Sequence, residues 1–254
     1  MRRCEACRDW RRLPRRFEPA YTPPVGARRG SLVTVPSPSS ARLADDVVVD
    51  AAWVRRALRR ARAAVDRHAA ALTRLDVVLG DGDHGDNLAT GFRSAEELLD
   101  ALPDDTPPGD ILRAVGHRLV ATVGGASGPL YGTALIEAGF TAGEAAVLAP
   151  PLVAEMLMVA AGGLARRGRC AVGDKTILDT LGPAADAYAS SVAAGASGSE
   201  AVRAAVRAGG RGMRATRPLV ARRGLALRLG ARSAGHLDPG AVSCQLLLVA
   251  MARG

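Results

Sequence analysis

The pattern of apolar and polar positions from residue 46 onward predicts helices. Behind Asp50, a suitable N-cap, apolar residues recur at steps of three and four. This first helical face comprises Val54, Ala57, Leu58, Ala61, Val65, His68 and Leu72. Further helical segments are predicted near residues 87–100, 109–123, 129–140, 151–167, 175–194, 199–222 and 239–252. Their expected N-caps include Asp86, Ser127, Ser199 and Asp238.

Strand signals are weak along the same stretch. Residues 75–79 form a strand-like apolar run, but the sequence offers this run no partner strand. Eight helices with short connections predict an all-α fold in which successive helices are antiparallel neighbours. The composition agrees, because 48% hydrophobic and only 3% aromatic residues leave a core of Ala, Leu and Val, of which Ala and Leu favour helices.

Residues 1–45 have a different character. They mix Arg, Pro, Gly and Ser without periodicity, which predicts a disordered extension ahead of a domain over residues 46–254. Ten arginines against three acidic residues within 1–44 give +7 of the net charge of +9, so the rest of the chain carries only +2. The basic character therefore belongs to the extension, and the domain is not expected to bind nucleic acid.

Membrane and export signals are lacking in the pattern. No uncharged apolar run reaches the roughly 18 residues of a spanning helix. The arginines near the N-terminus precede no apolar segment of the kind that secretory signals contain. We therefore expect no membrane association and a cytoplasmic location.

The basic residues are unusually uniform. Of 34 lysines and arginines, 33 are arginine, and Lys175 is the single lysine. Either this position requires a lysine that arginine cannot replace, or one lysine survived by chance in an arginine-rich composition. The sequence leaves both interpretations open.

The stretch LDVVLGDGDHGDNLATGF, residues 75–92, contains the most informative loop. Its glycines match the G-x-G-x-x-G spacing of a dinucleotide loop, but such a loop requires a βαβ unit and bare backbone N–H groups. Asp81 and Asp83 would repel a pyrophosphate. A calcium loop is excluded as well, because Asp86 stands at its sixth position, where Gly is needed, and Phe92 at its twelfth, where Glu is needed.

Divalent metal between carboxylates and phosphates explains the loop better. Mg²⁺ accepts carboxylate, water and phosphate oxygens, so Asp76, Asp81 and Asp83 could hold two such ions against a nucleotide. The helix starting near Asn87 directs its N-terminal dipole at the same anion. Two more glycine-rich stretches, over residues 123–133 and 235–243, also open helices and are further candidate anion sites.

Four segments, LDVVLGDGDHGDN, GGASGPLYGT, GDKTILDTLGPA and LGARSAGHLDPGA, resemble the ADP-binding L subunit of dihydroxyacetone kinases. The resemblance extends from about residue 46 to 254. It implies an eight-helix antiparallel up-and-down barrel with ADP or ATP at one rim and Mg²⁺ on Asp76, Asp81 and Asp83. The nucleotide contacts that it implies are His84, Gly85, Asp86, Asn87, Ala126, Ser127, Gly168, Ile177, Asp238, Pro239 and Gly240.

The resemblance also implies a division of labour. In that family a separate K subunit or domain holds dihydroxyacetone, and the L subunit supplies the phosphoryl group. The donor is either ATP or a bound ADP that a phosphotransferase-system protein recharges. His84 is interpreted as orienting the phosphates or an aspartate rather than accepting a phosphoryl group.

One departure from the family pattern affects catalysis. Where the family reads G-R-A-S-Y-L-G, this chain reads GLALRLG over residues 224–230, so Leu225 replaces a nucleotide-contacting arginine. Leucine cannot donate a hydrogen bond to phosphate. Arg223 or Arg228 could substitute from nearby, and an alternative function is a nucleotide-sensing regulatory subunit without catalysis.

Overall fold

The computed structural model describes residues 48–252, which are almost entirely helical. The α-helices are α1 (Ala51–Leu79), α2 (His84–Ala101), α3 (Pro108–Thr122), α4 (Ser127–Ala142), α5 (Pro150–Gly168), α6 (Leu178–Ala193), α7 (Gly198–Ala215) and α8 (Pro239–Met251). A 3₁₀ segment, Leu225–Ser233, lies between α7 and α8. Within the described residues the extended backbone pairs only at one isolated bridge, Asp50 with Val147. The predicted all-α fold is confirmed.

The helices close into a ring. Each helix packs against the next along the chain, and α8 returns to pack against α1. Side chains from most of the helices meet in one large apolar cluster, in which Val65, Leu88, Ile111, Leu119 and Leu164 are fully buried. The connections α1–α2, α3–α4, α5–α6 and α7–α8 therefore share one rim of an up-and-down barrel, as the resemblance implied.

Small residues allow the closest helix pair to form. Between α3 and α4, a Cβ on Gly132 would lie 2.7 Å from the carbonyl oxygen of Gly116 and 2.3 Å from Val120. Neither contact is sterically possible. Glycine at this position lets the two backbones approach more closely than larger residues would allow.

Two of the expected N-caps are confirmed and three are wrong. The carboxylates of Asp50 and Asp238 accept hydrogen bonds from the backbone N–H groups of Trp53 and Ala241, both at 2.7 Å. Asp86, Ser127 and Ser199 instead lie inside their helices, whose cap positions are Asp83, Ala126 and Ser197. Ser197 forms a capping box with Glu200. This pattern is present in the sequence, but Ser199, two residues later, was the expected cap.

Several expected boundaries also need correction. The strand-like run over residues 75–79, for which no partner strand was expected, is the last turn of α1. His68, expected at the edge of the buried face, is exposed. The segment expected over 175–194 begins as a helix at Leu178, because residues 169–177 form an irregular loop. The segment expected over 199–222 ends at Ala215, and an irregular connection with a 3₁₀ segment follows.

The predicted extension lies outside the described residues. The chain divides into two units, Met1–Ala44 and Asp45–Gly254, and everything below concerns residues 48–252 of the second. In that described part, no helix combines the length and the apolar character needed to cross a membrane.

Candidate metal and nucleotide site

The three aspartates predicted to bind metal lie together. Asp76 belongs to the last turn of α1, Asp81 to the loop that follows, and Asp83 to the N-cap position of α2. One carboxylate oxygen from each lies within 4.8 Å of the others. Asp76 is buried, whereas Asp81 and Asp83 are accessible to solvent. We call residues 76–84 the carboxylate loop.

Asp76 organises the carboxylate loop from within. Its Oδ2 accepts hydrogen bonds from the backbone N–H groups of Gly82 at 3.0 Å, Asp83 at 3.2 Å and His84 at 3.3 Å. A Cβ on Gly80 would lie 2.1 Å from Asp76 Oδ1, so only glycine permits this approach. Gly82 has a φ of +78°, which favours glycine. The loop therefore folds around one buried carboxylate.

The donor set of the carboxylate loop fits Mg²⁺. All three candidate ligands are hard carboxylate oxygens, and two are open to the water and phosphate oxygens that complete the coordination of this ion. Asp76 Oδ1 has no hydrogen-bond partner among the described residues. This oxygen therefore remains available while Oδ2 holds the loop.

A chain of hydrogen bonds runs from the site into the barrel. His84 Nδ1 lies 3.0 Å from Ser127 Oγ, and His84 Nε2 lies 2.9 Å from Ser243 Oγ. Ser243 Oγ is 2.7 Å from the Tyr131 hydroxyl and donates to the carbonyl oxygen of Gly240 at 3.0 Å. With that donation made, Ser243 Oγ accepts from both Nε2–H and the tyrosine hydroxyl, and Ser127 donates to Nδ1.

The surroundings favour a neutral His84. Burial lowers its pKa, and the neighbouring Asp76 only partly opposes that effect. A neutral imidazole has one donor and one acceptor nitrogen, which matches the two hydroxyl partners. Ser243 and Tyr131 were missed from the sequence, because both are polar residues on otherwise buried helix faces. Only the fold brings Ser243 to His84 and Tyr131 to Ser243.

The predicted nucleotide residues lie at the N-termini of alternate helices. His84, Gly85, Asp86 and Asn87 form the first turn of α2, and Ala126 with Ser127 begins α4. Ile177 precedes α6, and Asp238, Pro239 and Gly240 begin α8. The contacts of His84 bring the starts of α2, α4 and α8 together, and their dipoles favour an anion at this rim.

Other contacts tie the remaining candidates to the same rim. The Asn87 side chain packs against Gly124, where a Cβ would approach it to 2.8 Å. A Cβ on Gly240 would contact Ile177 at 3.5 Å. Gly168 ends α5 beside Leu130 of α4. Gly85 has a packing role, since a Cβ there would lie 2.0 Å from the carbonyl oxygen of Ala69 in α1.

Lys175 joins two connections at this rim. Its ammonium group donates to the backbone carbonyl of Thr216 at 2.6 Å and to that of His236, and the side chain is only 1% exposed. Its φ is +65°. Burial lowers the pKa of Lys175, whereas the charge of Asp238 raises it. We call these contacts the Lys175 junction.

The Lys175 junction supports the N-terminus of α8. Thr216 uses its carbonyl for Lys175 and its hydroxyl oxygen to accept the backbone N–H of Asp238 at 3.1 Å. Burial raises the pKa of Asp238 to about 7, although the capping bond from Ala241 and the charge of Lys175 lower it. The single lysine of the chain thus holds a predicted nucleotide-binding segment in place.

The 3₁₀ segment borders the carboxylate loop. A cavity of about 370 Å³ between them is lined by residues that include Val77, Gly80, Asp81, Leu225 and Arg228. Leu225, which stands where the resemblance led us to expect an arginine, is 41% exposed. The two arginines considered as its substitutes differ, because Arg223 lies 3.5 Å from the Asp174 carboxylate, whereas Arg228 lines the cavity.

Comparisons with known proteins agree with the predicted family. The DAK2 domain family model matches residues 78–253. The ADP-binding subunit DhaL of the PEP-dependent dihydroxyacetone kinase 2 from Listeria innocua is 36% identical over 204 residues, which are 80% of this chain and 94% of that protein. The corresponding Escherichia coli subunit is 37% identical over 181 residues, 71% of this chain and 86% of that protein.

A solved structure has a similar fold. The dihydroxyacetone kinase from C. freundii, crystallised with AMP-PNP and Mg²⁺, superposes with a TM-score of 0.61 at 25% sequence identity. The match covers 89% of this chain but only 38% of that longer one. The similarity therefore concerns one part of a larger kinase.

Proposed function

The chain belongs to the DAK2 domain family, and on that premise we propose that it is the nucleotide- and magnesium-binding subunit of a dihydroxyacetone kinase. It delivers a phosphoryl group to dihydroxyacetone that a separate K subunit holds. The observation that supports this proposal best is the placement of Asp76, Asp81 and Asp83 within 4.8 Å of one another, beside the converging N-termini of three helices. The carboxylates suit the metal and the helix N-termini suit the phosphates, so together they suit a metal–phosphate complex.

The three aspartates divide the work of holding metal. Asp76 fixes the loop through Oδ2 and offers Oδ1, while Asp81 and Asp83 offer carboxylates that also contact solvent. Two Mg²⁺ ions held there would neutralise charge on the phosphates of ADP or ATP. Phosphoryl transfer depends largely on such positioning and charge, so the chain needs no covalent intermediate of its own.

The remaining residues orient the nucleotide. Ser127 and the first N–H groups of α4 and α8 face the phosphates, and Asn87 and Asp86 flank them from α2. His84 positions the Ser127 hydroxyl and is itself held by Ser243. Gly168 and Ile177 border the nucleotide from the α5–α6 connection.

The donor is proposed by analogy with the relatives. Those from Listeria innocua and Escherichia coli are named as subunits of PEP-dependent kinases, and one from Lactococcus lactis as part of a PTS-dependent kinase. We accordingly infer a cytoplasmic protein with two partners, a K subunit and a phosphotransferase-system protein that recharges bound ADP. ATP as direct donor is the alternative.

Calorimetry and a reconstituted assay test the proposal together. The full-length protein should bind ADP in the presence of Mg²⁺ and release it on addition of EDTA. Adding a K subunit and a phosphoryl donor from Escherichia coli should then produce dihydroxyacetone phosphate. ADP binding that is indifferent to EDTA would contradict the metal–phosphate site.

Leu225 supports a second candidate function. The family that the sequence resembles has a nucleotide-contacting arginine at this position, and leucine cannot donate a hydrogen bond to phosphate. A protein that binds Mg²⁺ and ADP but transfers no phosphate with any K subunit would be a nucleotide-sensing regulatory subunit. The transfer assay separates the two functions.

A further inference from the structure

Arg228 occupies a distinctive place beside the carboxylate loop. It lines the cavity of about 370 Å³ that also contains Asp81, and its side chain is exposed. It forms neither a salt bridge nor a hydrogen bond with any of residues 48–252. The guanidinium is therefore free to bind a ligand in this cavity.

Three basic side chains of the adjoining connections are engaged elsewhere. Arg223 and Arg222 lie 3.5 Å and 4.0 Å from the carboxylate of Asp174. Lys175 donates to two backbone carbonyls and is buried. Among the described residues that line the cavity, Arg228 is thus the single cation.

The local backbone holds Arg228 against the loop. Ala226 and Leu229, on either side of it in the chain, pack with Leu79 of α1 in a small apolar cluster. Ser233 closes the segment, since its hydroxyl accepts the backbone N–H of Ala221 at 2.8 Å and donates to the carbonyl of Gly230 at 2.6 Å. The position of Arg228 along the cavity is therefore fixed by packing on both sides.

The charge expected at this site favours a further cation. Three carboxylates and a nucleoside diphosphate carry more negative charge than two Mg²⁺ ions neutralise, and a phosphoryl group in transfer adds to that charge. Arginine stays protonated and matches phosphate oxygens with paired donors. Cations placed where charge develops act mainly on the rate, because they bind the transition state more strongly than the ground state.

We propose that Arg228 is a catalytic residue that contacts the transferring phosphoryl group from the 3₁₀ segment. This inference rests on the proposed function and adds a residue to its site. The helix type explains how residue 228 reaches this place, because residues three apart in a 3₁₀ helix are eclipsed. Leu225 and Arg228 accordingly line the same cavity.

Four variants of the full-length protein test the proposal. Arg228→Ala removes the cation, and Arg228→Lys retains the charge without the paired donors. Arg223→Ala is the matched control, since it removes an equal charge from the same connection but from a residue engaged by Asp174. Leu225→Arg combined with Arg228→Ala returns a guanidinium to the same cavity from the eclipsed position.

Two readouts are measured for each variant. The first is ADP affinity with Mg²⁺, in the presence and absence of aluminium fluoride, which mimics the transferring phosphoryl group. The second is turnover with the Escherichia coli K subunit and phosphoryl donor. For Arg228→Ala we expect ADP affinity within about threefold of wild type and a loss of about 10²–10³-fold in turnover. The increase in ADP affinity that aluminium fluoride causes should shrink at least about tenfold.

The other variants complete the test. Arg228→Lys should recover part of the loss, the double variant should recover more, and Arg223→Ala should match wild type in both readouts. Wild-type behaviour of Arg228→Ala with aluminium fluoride, or an equal loss in Arg223→Ala, would overturn the role of Arg228. A wild-type protein that binds no Mg²⁺-dependent ADP would instead overturn the proposed function.

Discussion

The carboxylate loop and the Lys175 junction lie at the same rim but are held in opposite ways. Asp76 binds backbone groups six to eight residues away, so the loop is closed by its own sequence. Lys175 binds carbonyls 41 and 61 residues away, in the connection between α7 and α8. One region is organised locally, whereas the other exists only after distant helices have packed.

The two regions also differ in what they leave unbound. The carboxylate loop keeps oxygens of Asp76, Asp81 and Asp83 free and partly accessible. In the Lys175 junction, the buried ammonium group already donates hydrogen bonds to two backbone carbonyls and lies near the carboxyl group of Asp238. Substitutions in the first region should therefore affect ligands, and substitutions in the second should affect folding.

The largest effect is expected in the carboxylate loop. Asp81→Ala or Asp83→Ala should abolish Mg²⁺-dependent ADP binding, because the phosphates then lose the metal that separates them from like charges. Calorimetry measures the binding, and far-ultraviolet circular dichroism should show unchanged helicity. Asp105→Ala, an exposed aspartate in the α2–α3 connection, is the control and should bind normally. Undiminished binding in both loop variants would refute the metal site.

Lys175→Met should lower the stability of the fold, whereas the loop variants should lower only ligand binding. It leaves the carbonyls of Thr216 and His236 buried without their donor, so we expect the free energy of unfolding to fall by about 2–3 kcal/mol. Urea denaturation measures this loss, with the exposed Arg207→Met as control. Lys175→Arg should not restore stability, because the larger planar guanidinium does not fit a site that is 1% exposed. Full stability of the arginine variant would favour chance survival of this lysine.

A smaller effect concerns the pH dependence of the Lys175 junction. With its pKa raised to about 7, folded Asp238 retains a proton that the unfolded chain releases near pH 4. The contribution of Asp238 to the free energy of unfolding is therefore complete below about pH 4. It falls by on the order of 2 kcal/mol between pH 5 and pH 8. Asp238→Asn keeps a capping side chain and should flatten this part of the profile, measured by urea unfolding without metal or nucleotide. An unchanged slope would assign the pH dependence to other groups.

Removal of residues 1–44 should have the smallest effect. All contacts described above for both regions lie within residues 48–252. We expect the truncated protein to keep its melting temperature within a few degrees and its ADP affinity within about twofold. Aggregation of the truncated protein, or loss of ADP binding, would show that the segment contributes to the domain.

The helical architecture and the candidate metal ligands are both evident from the sequence. Helical periodicity is a local property, and the glycines and aspartates of the carboxylate loop are close in the chain, so both could be recognised without a structure. The true start of α2 could not, because the side chain of Asp76 in the preceding helix accepts the backbone N–H groups ahead of it. The start of α7 was available from the sequence as the capping box of Ser197 and Glu200, but the expected cap was Ser199.

The tertiary structure alone decided which residues support the site from a distance. Ser243 contacts His84 from α8, and Tyr131 contacts Ser243 from α4. The chain after α7, expected to stay helical to residue 222, leaves the helix at Ala215, and Arg228 in the following segment borders the carboxylate loop. The sequence singled out Lys175 but left its purpose open; burial against two carbonyls supplied the reason. Such contacts form between residues far apart in the chain, so their geometry exists only once the barrel has closed.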